Sequence, residues 1–137
     1  MSEASWALQQ AIYAELCASV EVQSVLGDPP RIYDAVPRAA LFPYAVIGDG
    51  QEHDWSTATE SGSEHILMIQ VWSRGQGHRE AKQLAETIRA ALDGGALAVS
   101  GQSLIDIRFT SAEYARQPDG ETWAARLKFR AVMEPAP

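Results

Sequence analysis

Three histidines, His53, His65 and His78, are the residues of this 137-residue chain best suited to move a proton or bind a metal. Catalysis needs a base within hydrogen-bond reach of a proton or nucleophile, with surroundings that tune its pKa. His53 and His65, with Glu52, Asp54 and Glu64, would supply a metal set if two paired strands brought them together. A hairpin this polar is more often a solvated arm, and histidines flanking a turn need no ligand. Gly75-Gln76-Gly77 precedes a helical pattern, as a phosphate-cradling loop does. It lacks the third glycine of a dinucleotide fingerprint and the Gly-Lys-Ser/Thr ending of a P-loop, so a strand-to-helix turn is the plainer reading. Ser100 and Ser103 lie near Gly101 and Asp106, but GQSLI lacks the second glycine of a nucleophile elbow. No catalytic, cofactor or metal site is therefore expected.

Contact chemistry is better represented. Arg126, Lys128 and Arg130 alternate with Leu127 and Phe129, which puts three cations on one face of a strand. Such a row either guards a solvated edge or meets an acidic partner, and complementary charge fixes register more than it adds affinity. No aromatic residue is expected on that charged face to stack nucleic-acid bases. Trp55, beside the polar tract, is the better interface anchor because tryptophan concentrates in binding hot spots, whereas Trp72 reads as core. Asp54, Trp55, Glu64, Arg126, Lys128 and Arg130 are thus the candidate subunit- or ring-contact residues. The net charge of -7 argues against free DNA binding. Its distribution is uneven, because Met1 to His65 holds ten acidic and two basic residues while Ile66 to Pro137 holds eight and nine.

The elements that would position these residues follow from pattern. Ser5 is the expected N-cap of a helix with Leu8, Ile12, Leu16 and Val20 on one buried stripe. A short continuation from Glu21 to Leu26 stops at Gly27 and Pro29-Pro30. Arg31 to Val36 reads as a short extended run broken by Pro37. Pro43 then precedes an apolar strand, Tyr44 to Gly48, that runs on toward Trp55. After the polar tract Ser56 to His65, a second strand from Ile66 to Ser73 has apolar residues on both faces, which predicts a sheet covered twice. A second helix spans His78 to Leu92, with Ala81, Leu84, Ile88 and Leu92 buried and Gly94-Gly95 ending it. Strands are expected over Ala96 to Val99, Ser103 to Thr110 and Thr122 to Met133, the last two joined through Pro118-Asp119-Gly120. The order suits an α+β fold, with two helices packed on a mostly antiparallel sheet and a long β-hairpin arm.

Size and composition fit a single domain over residues 1–137, large enough for a real core. The one cysteine, Cys17, has no partner for an intramolecular disulfide, which suits a reducing cytoplasm. The start, MSEASW, has no basic and apolar signal region, and no apolar run approaches the roughly 20 residues that cross a bilayer. A soluble, unexported protein without a membrane partner is expected.

One ordered set of short motifs says more. LQQAIYAEL (Leu8 to Leu16), IYDAVP (Ile32 to Pro37), FPYAVIGD (Phe42 to Asp49) and DWST (Asp54 to Thr57) come first. QVWSR (Gln70 to Arg74), EAKQLAETIRAAL (Glu80 to Leu92), PDG (Pro118 to Gly120) and RLKFRA (Arg126 to Ala131) follow. Over roughly Leu8 to Met133 the set resembles the phage tail-completion, or tail terminator, family, also found in prophages and gene transfer agents. The resemblance implies a structural, non-enzymatic protein without cofactors that assembles in the bacterial cytoplasm as a hexameric ring. Such a ring caps the head-proximal end of a tail tube, stops its polymerisation and offers a head-joining surface, with DNA passing through its lumen unread. Its partners would be the tube protein and a head-completion or connector protein. The alternatives are a connector adaptor in the same particle, since one small α+β fold can serve several such roles, or a small metal- or ligand-binding domain built on the histidine-bearing hairpin.

Overall fold

The computed structural model describes residues 3–75 and 77–137. Three helices, α1 (Glu3–Ala18), α2 (Val20–Leu26) and α3 (Arg79–Leu92), lie against a mixed sheet. The strands are β1 (Ile32–Tyr33), β2 (Tyr44–Asp54), β3 (Ser63–Ser73), β4 (Gln102–Arg116) and β5 (Trp123–Pro135), in spatial order β1-β2-β3-β5-β4. Only the β1–β2 pair is parallel among them; β2, β3, β5 and β4 form an antiparallel meander.

Alternation sorts the sheet residues onto two faces. One face carries Ala45, Ile47, Leu67, Ile69, Val71, Ile107, Leu127, Phe129 and Met133, all buried. It meets Leu8, Ile12 and Leu16 of α1 and Leu84, Ile88 and Leu92 of α3 in one core. Phe109 closes the core at the β4 side, edge-on to Phe129 at 5.9 Å, with the Arg89 guanidinium 4.3 Å above its ring. The opposite face carries Val46, Ile66, Met68, Trp72, Arg126, Lys128 and Arg130, and no helix of the described residues packs on it.

The helical boundaries differ from expectation in two places. Ser5 lies inside α1 rather than capping it, because the helix already runs from Glu3. Ser19 is the cap that matters: its hydroxyl accepts from the Val22 amide at 3.3 Å and opens α2 as a separate helix. The break turns Val20 out to 71% exposure, so it is no part of the buried stripe. Gln23 then donates to the Cys17 carbonyl at 2.8 Å, satisfying an acceptor that the end of α1 leaves over.

Three strand limits also move. Ser63 to His65, read as part of the polar tract, begin β3, since they pair both with β2 and with Ala131, Val132 and Met133. Ala96 to Val99 form no strand; Leu97 and Val99 are buried side chains of an irregular connection with no ladder beside it. β4 continues beyond Thr110 to Arg116, carried by its partner β5 past an irregularity between Phe109 and Ser111. A second irregularity, between Ile47 and Gly50, shifts β2, and Gly50 is required there because a Cβ would lie 2.9 Å from the Ile66 carbonyl oxygen.

Candidate interaction surface

β2 and β3 place the five residues of the possible metal set in an order that divides them. Glu52 stands opposite His65 on the helix side, and His53 opposite Glu64 on the other. A strand alternates its side chains, so the two halves are separated by the sheet itself. No cluster of three or more metal-ligating side chains occurs among the described residues. His65 is 2% exposed and lies beside a cavity of about 230 Å³ between α1 and the β2 irregularity. Its Nε2 is 2.9 Å from the Ser63 hydroxyl. Burial pushes the imidazole pKa below its ordinary value, while the Glu52 charge pulls the other way. His53 meets Gln51 at 3.1 Å, and His78 packs edge-on to Trp123 at 4.5 Å.

The loop before α3 is similarly occupied from within. Gln76 lies outside the described residues, but Gly75 is crowded by Glu80, whose carboxylate would be 3.1 Å from a Cβ there. Glu80 also accepts a hydrogen bond from the Ser73 hydroxyl, so a carboxylate of the chain already stands at this helix start. Gly101 has φ 71° in the turn before β4, and Asp106 pairs with Arg108 at 2.9 Å rather than with a serine. At the β4–β5 turn, Asp119 accepts from Thr122 Oγ1 at 2.6 Å and from the Glu121 and Thr122 amides. The Thr122 hydroxyl, then these amides, hold its carboxyl below the usual range.

The uncovered sheet face is where most of the contact residues gather. Arg126 stands beside Gln70, Lys128 beside Met68 and Arg130 beside Ile66, so a cationic row of β5 borders an apolar row of β3. Arg130 is tied down, because its guanidinium binds Glu64 and lies 4.8 Å over the Trp55 ring. Trp55 remains 51% exposed at the start of the β2–β3 connection. Arg126 and Lys128 have no carboxylate within ion-pair reach among the described residues. Asp54 points to the helix side; the Ser56 hydroxyl, then its amide, lower its pKa. The structure thus brings Trp55, Glu64 and Arg130 together, aligns Arg126 and Lys128 with them, and leaves Asp54 apart.

Two expectations about aromatics are corrected here. Trp72 is half-buried on the uncovered face, not in the core, because it alternates with Val71. Aromatic residues do reach the charged face: Trp55 lies under Arg130, and Trp72, Tyr44 and Phe42 occupy its far end, with Arg74 4.2 Å over Phe42. The missed signal was the cross-strand partner of each cation, which pattern within a single strand does not contain.

The fold is thus that of a small α+β protein with helices on one sheet face and a mixed apolar and cationic surface on the other. A family profile described as Tail completion protein gp17 matches residues 10–134. A solved chain from a structure titled "Virion of native gene transfer agent (GTA) particle" superposes with a TM-score of 0.88 at 31% identity, over 96% of this chain and 97% of that one. A search of curated proteins returns no match. The chain belongs to the tail completion protein gp17 family, and its role is that of a structural, non-enzymatic tail component of a phage or gene transfer agent.

Proposed function

We propose that the protein is a tail terminator: six copies close into a ring on the head-proximal end of the tail tube, end tube growth and receive the head. The observation that carries this reading is the open sheet face, where Arg126 and Lys128, without an ion pair among the described residues, stand beside Gln70 and Met68 of β3. An unpartnered surface that is both apolar and charged suits a contact with specified register. Arg126, Lys128 and the Trp55–Arg130–Glu64 cluster would serve contacts within or between rings, with Asp54 at the sheet end nearby. Head-to-tail association of this kind closes when the rotation per subunit divides a circle. DNA would pass through the lumen without base reading, and assembly would take place in the bacterial cytoplasm.

The test has two arms. Native mass spectrometry and electron micrographs of the purified protein are expected to show closed rings, and deletion of the gene to give tailless heads or overlong tubes. Monomers alone at high concentration, together with normal particles after deletion, would sink the reading. Binding of the purified ring to the connector but not to the tube would instead assign it to the connector side.

A further inference from the structure

The uncovered sheet face holds a hollow beside its cationic row. We infer that the two together are a socket for an extended acidic segment of another particle protein, with two carboxylates on Arg126 and Lys128 and an apolar side chain in the hollow. This rests on the terminator reading, whose axial partner it characterises by chemistry.

The hollow arises from the irregularity in β2. Ile47 stands opposite Ile69 and Gly50 opposite Leu67, so Gly48 and Asp49 together oppose the single residue Met68. Gly48 and Gly50 bring no side chain to this stretch, and Gly50 can bring none, because a Cβ would lie 2.9 Å from the Ile66 carbonyl oxygen. The space left open measures about 370 Å³, with Ile66 and Met68 as its apolar floor, Asp49 and Gln51 on the β2 side and Lys128 on the β5 side. An apolar floor with a polar rim is the form taken by the anchor pockets of protein interfaces.

The charges around it are not used up within the chain. Asp49 and Lys128 stand on opposite sides of the hollow without an ion pair, and Arg126 makes none either, among the described residues. On the same face, Arg108 is paired with Asp106 and Arg130 with Glu64. The cations left over are thus the two that adjoin the hollow.

Spacing selects the occupant. Arg126 and Lys128 are alternate residues of β5, roughly 7 Å apart, which is also the separation of alternate residues in any extended chain. A segment lying along β3 and β5 therefore sets carboxylates two residues apart on this pair. Its next residue on the same side falls level with Ile66, at the hollow. The recognised pattern is acidic, any, acidic, any, apolar.

Nucleic acid fits this surface less well. A phosphate backbone is charged along its whole length and would run against Asp49 and Glu113, which flank the row on its two sides. The aromatic rings are also misplaced for stacking: Trp55 lies under Arg130, and Trp72 stands beyond Arg126, opposite Ala124. At the β4 margin the Gly94 amide donates to the Ile107 carbonyl at 2.8 Å, and the Phe109 amide donates to the Asp93 carboxylate at 2.9 Å. These caps occupy the outer side of β4 level with the row, so the segment approaches over the face and not along that margin.

The test uses assembled particles. A photoreactive benzoylphenylalanine in place of Ser111, an exposed residue opposite Lys128, is expected to cross-link to a different tail or connector protein. Mass spectrometry should find the joined peptide to carry two carboxylates two residues apart and an adjoining apolar side chain. Cross-links to DNA, to a second copy of this chain, to a peptide without that pattern, or to nothing overturn the socket. Lys128→Glu and Asp49→Lys change exposed side chains and should fold as the wild type does by circular dichroism. Lys128→Glu is expected to lower incorporation into particles about tenfold. Asp49→Lys is expected to raise the salt concentration that strips the protein from them. Variants that leave attachment unchanged, or that shift it in the same direction, overturn the charge recognition. If Lys128→Glu abolishes rings that the wild type forms by native mass spectrometry, the row belongs inside the ring and the socket fails. A wild type that forms no rings overturns the ring instead, and the cross-link still judges the socket.

Discussion

His65 makes stability sensitive to pH in a range where most carboxylates are silent. Its pKa is depressed by burial, so the folded state binds fewer protons than the unfolded chain between the two values. Stability is therefore full above the ordinary histidine value of about 6.5 and falls as pH drops through the folded value. Urea titrations between pH 7.5 and 5 are expected to show that loss, and His65→Gln to flatten it. Across the sheet, Glu64 and Arg130 are only partly exposed, and a double-mutant cycle with alanine is expected to give a coupling of about 1 kcal/mol. Trp55→Ala should weaken that coupling, since the ring lies under the guanidinium. The cations of β5 were legible as a row because alternation within a strand is written in sequence. Their partners were not, because Glu64 lies 66 residues from Arg130 and only the β3–β5 register joins them.

Among the elements, β2 and β5 are the most exacting. Gly50→Ala drives a methyl against the Ile66 carbonyl, a backbone atom that cannot swing aside, and is expected to cost about 1–3 kcal/mol in denaturant titration. Phe129→Ala empties the centre of the core beneath Phe109 and is expected to cost about 3–5 kcal/mol. Both helices with long apolar stripes were readable, as was the strand from Ile66 to Ser73, because each buries one whole periodic face. The outer half of β4 was not. Ser111 to Arg116 is largely solvent-facing, so no apolar period marks it, and only pairing with Trp123 to Lys128 makes it a strand. Ala96 to Val99 erred the other way, since buried leucine and valine mimic a strand where an irregular connection dips into the core.

For the whole molecule, charge and topology act at different places. Arg126→Glu combined with Lys128→Glu is expected to leave the melting temperature within a few degrees, since both lie on the uncovered face without an ion pair among the described residues. The same pair should abolish incorporation into particles, measured by immunoblot of purified virions. The caps at Asp93 and Gly94 acquire a different meaning when the copies are considered as a population. An open sheet edge is a template for pairing with another chain, and β4 is the outermost strand on its side of the sheet. Asp93 occupies the Phe109 amide and so withholds it from such pairing. Asp93→Ala, which frees that amide, is expected to increase aggregation of the purified protein, measured by light scattering. The carboxylate that ends α3 would then guard a sheet edge as well as finish a helix.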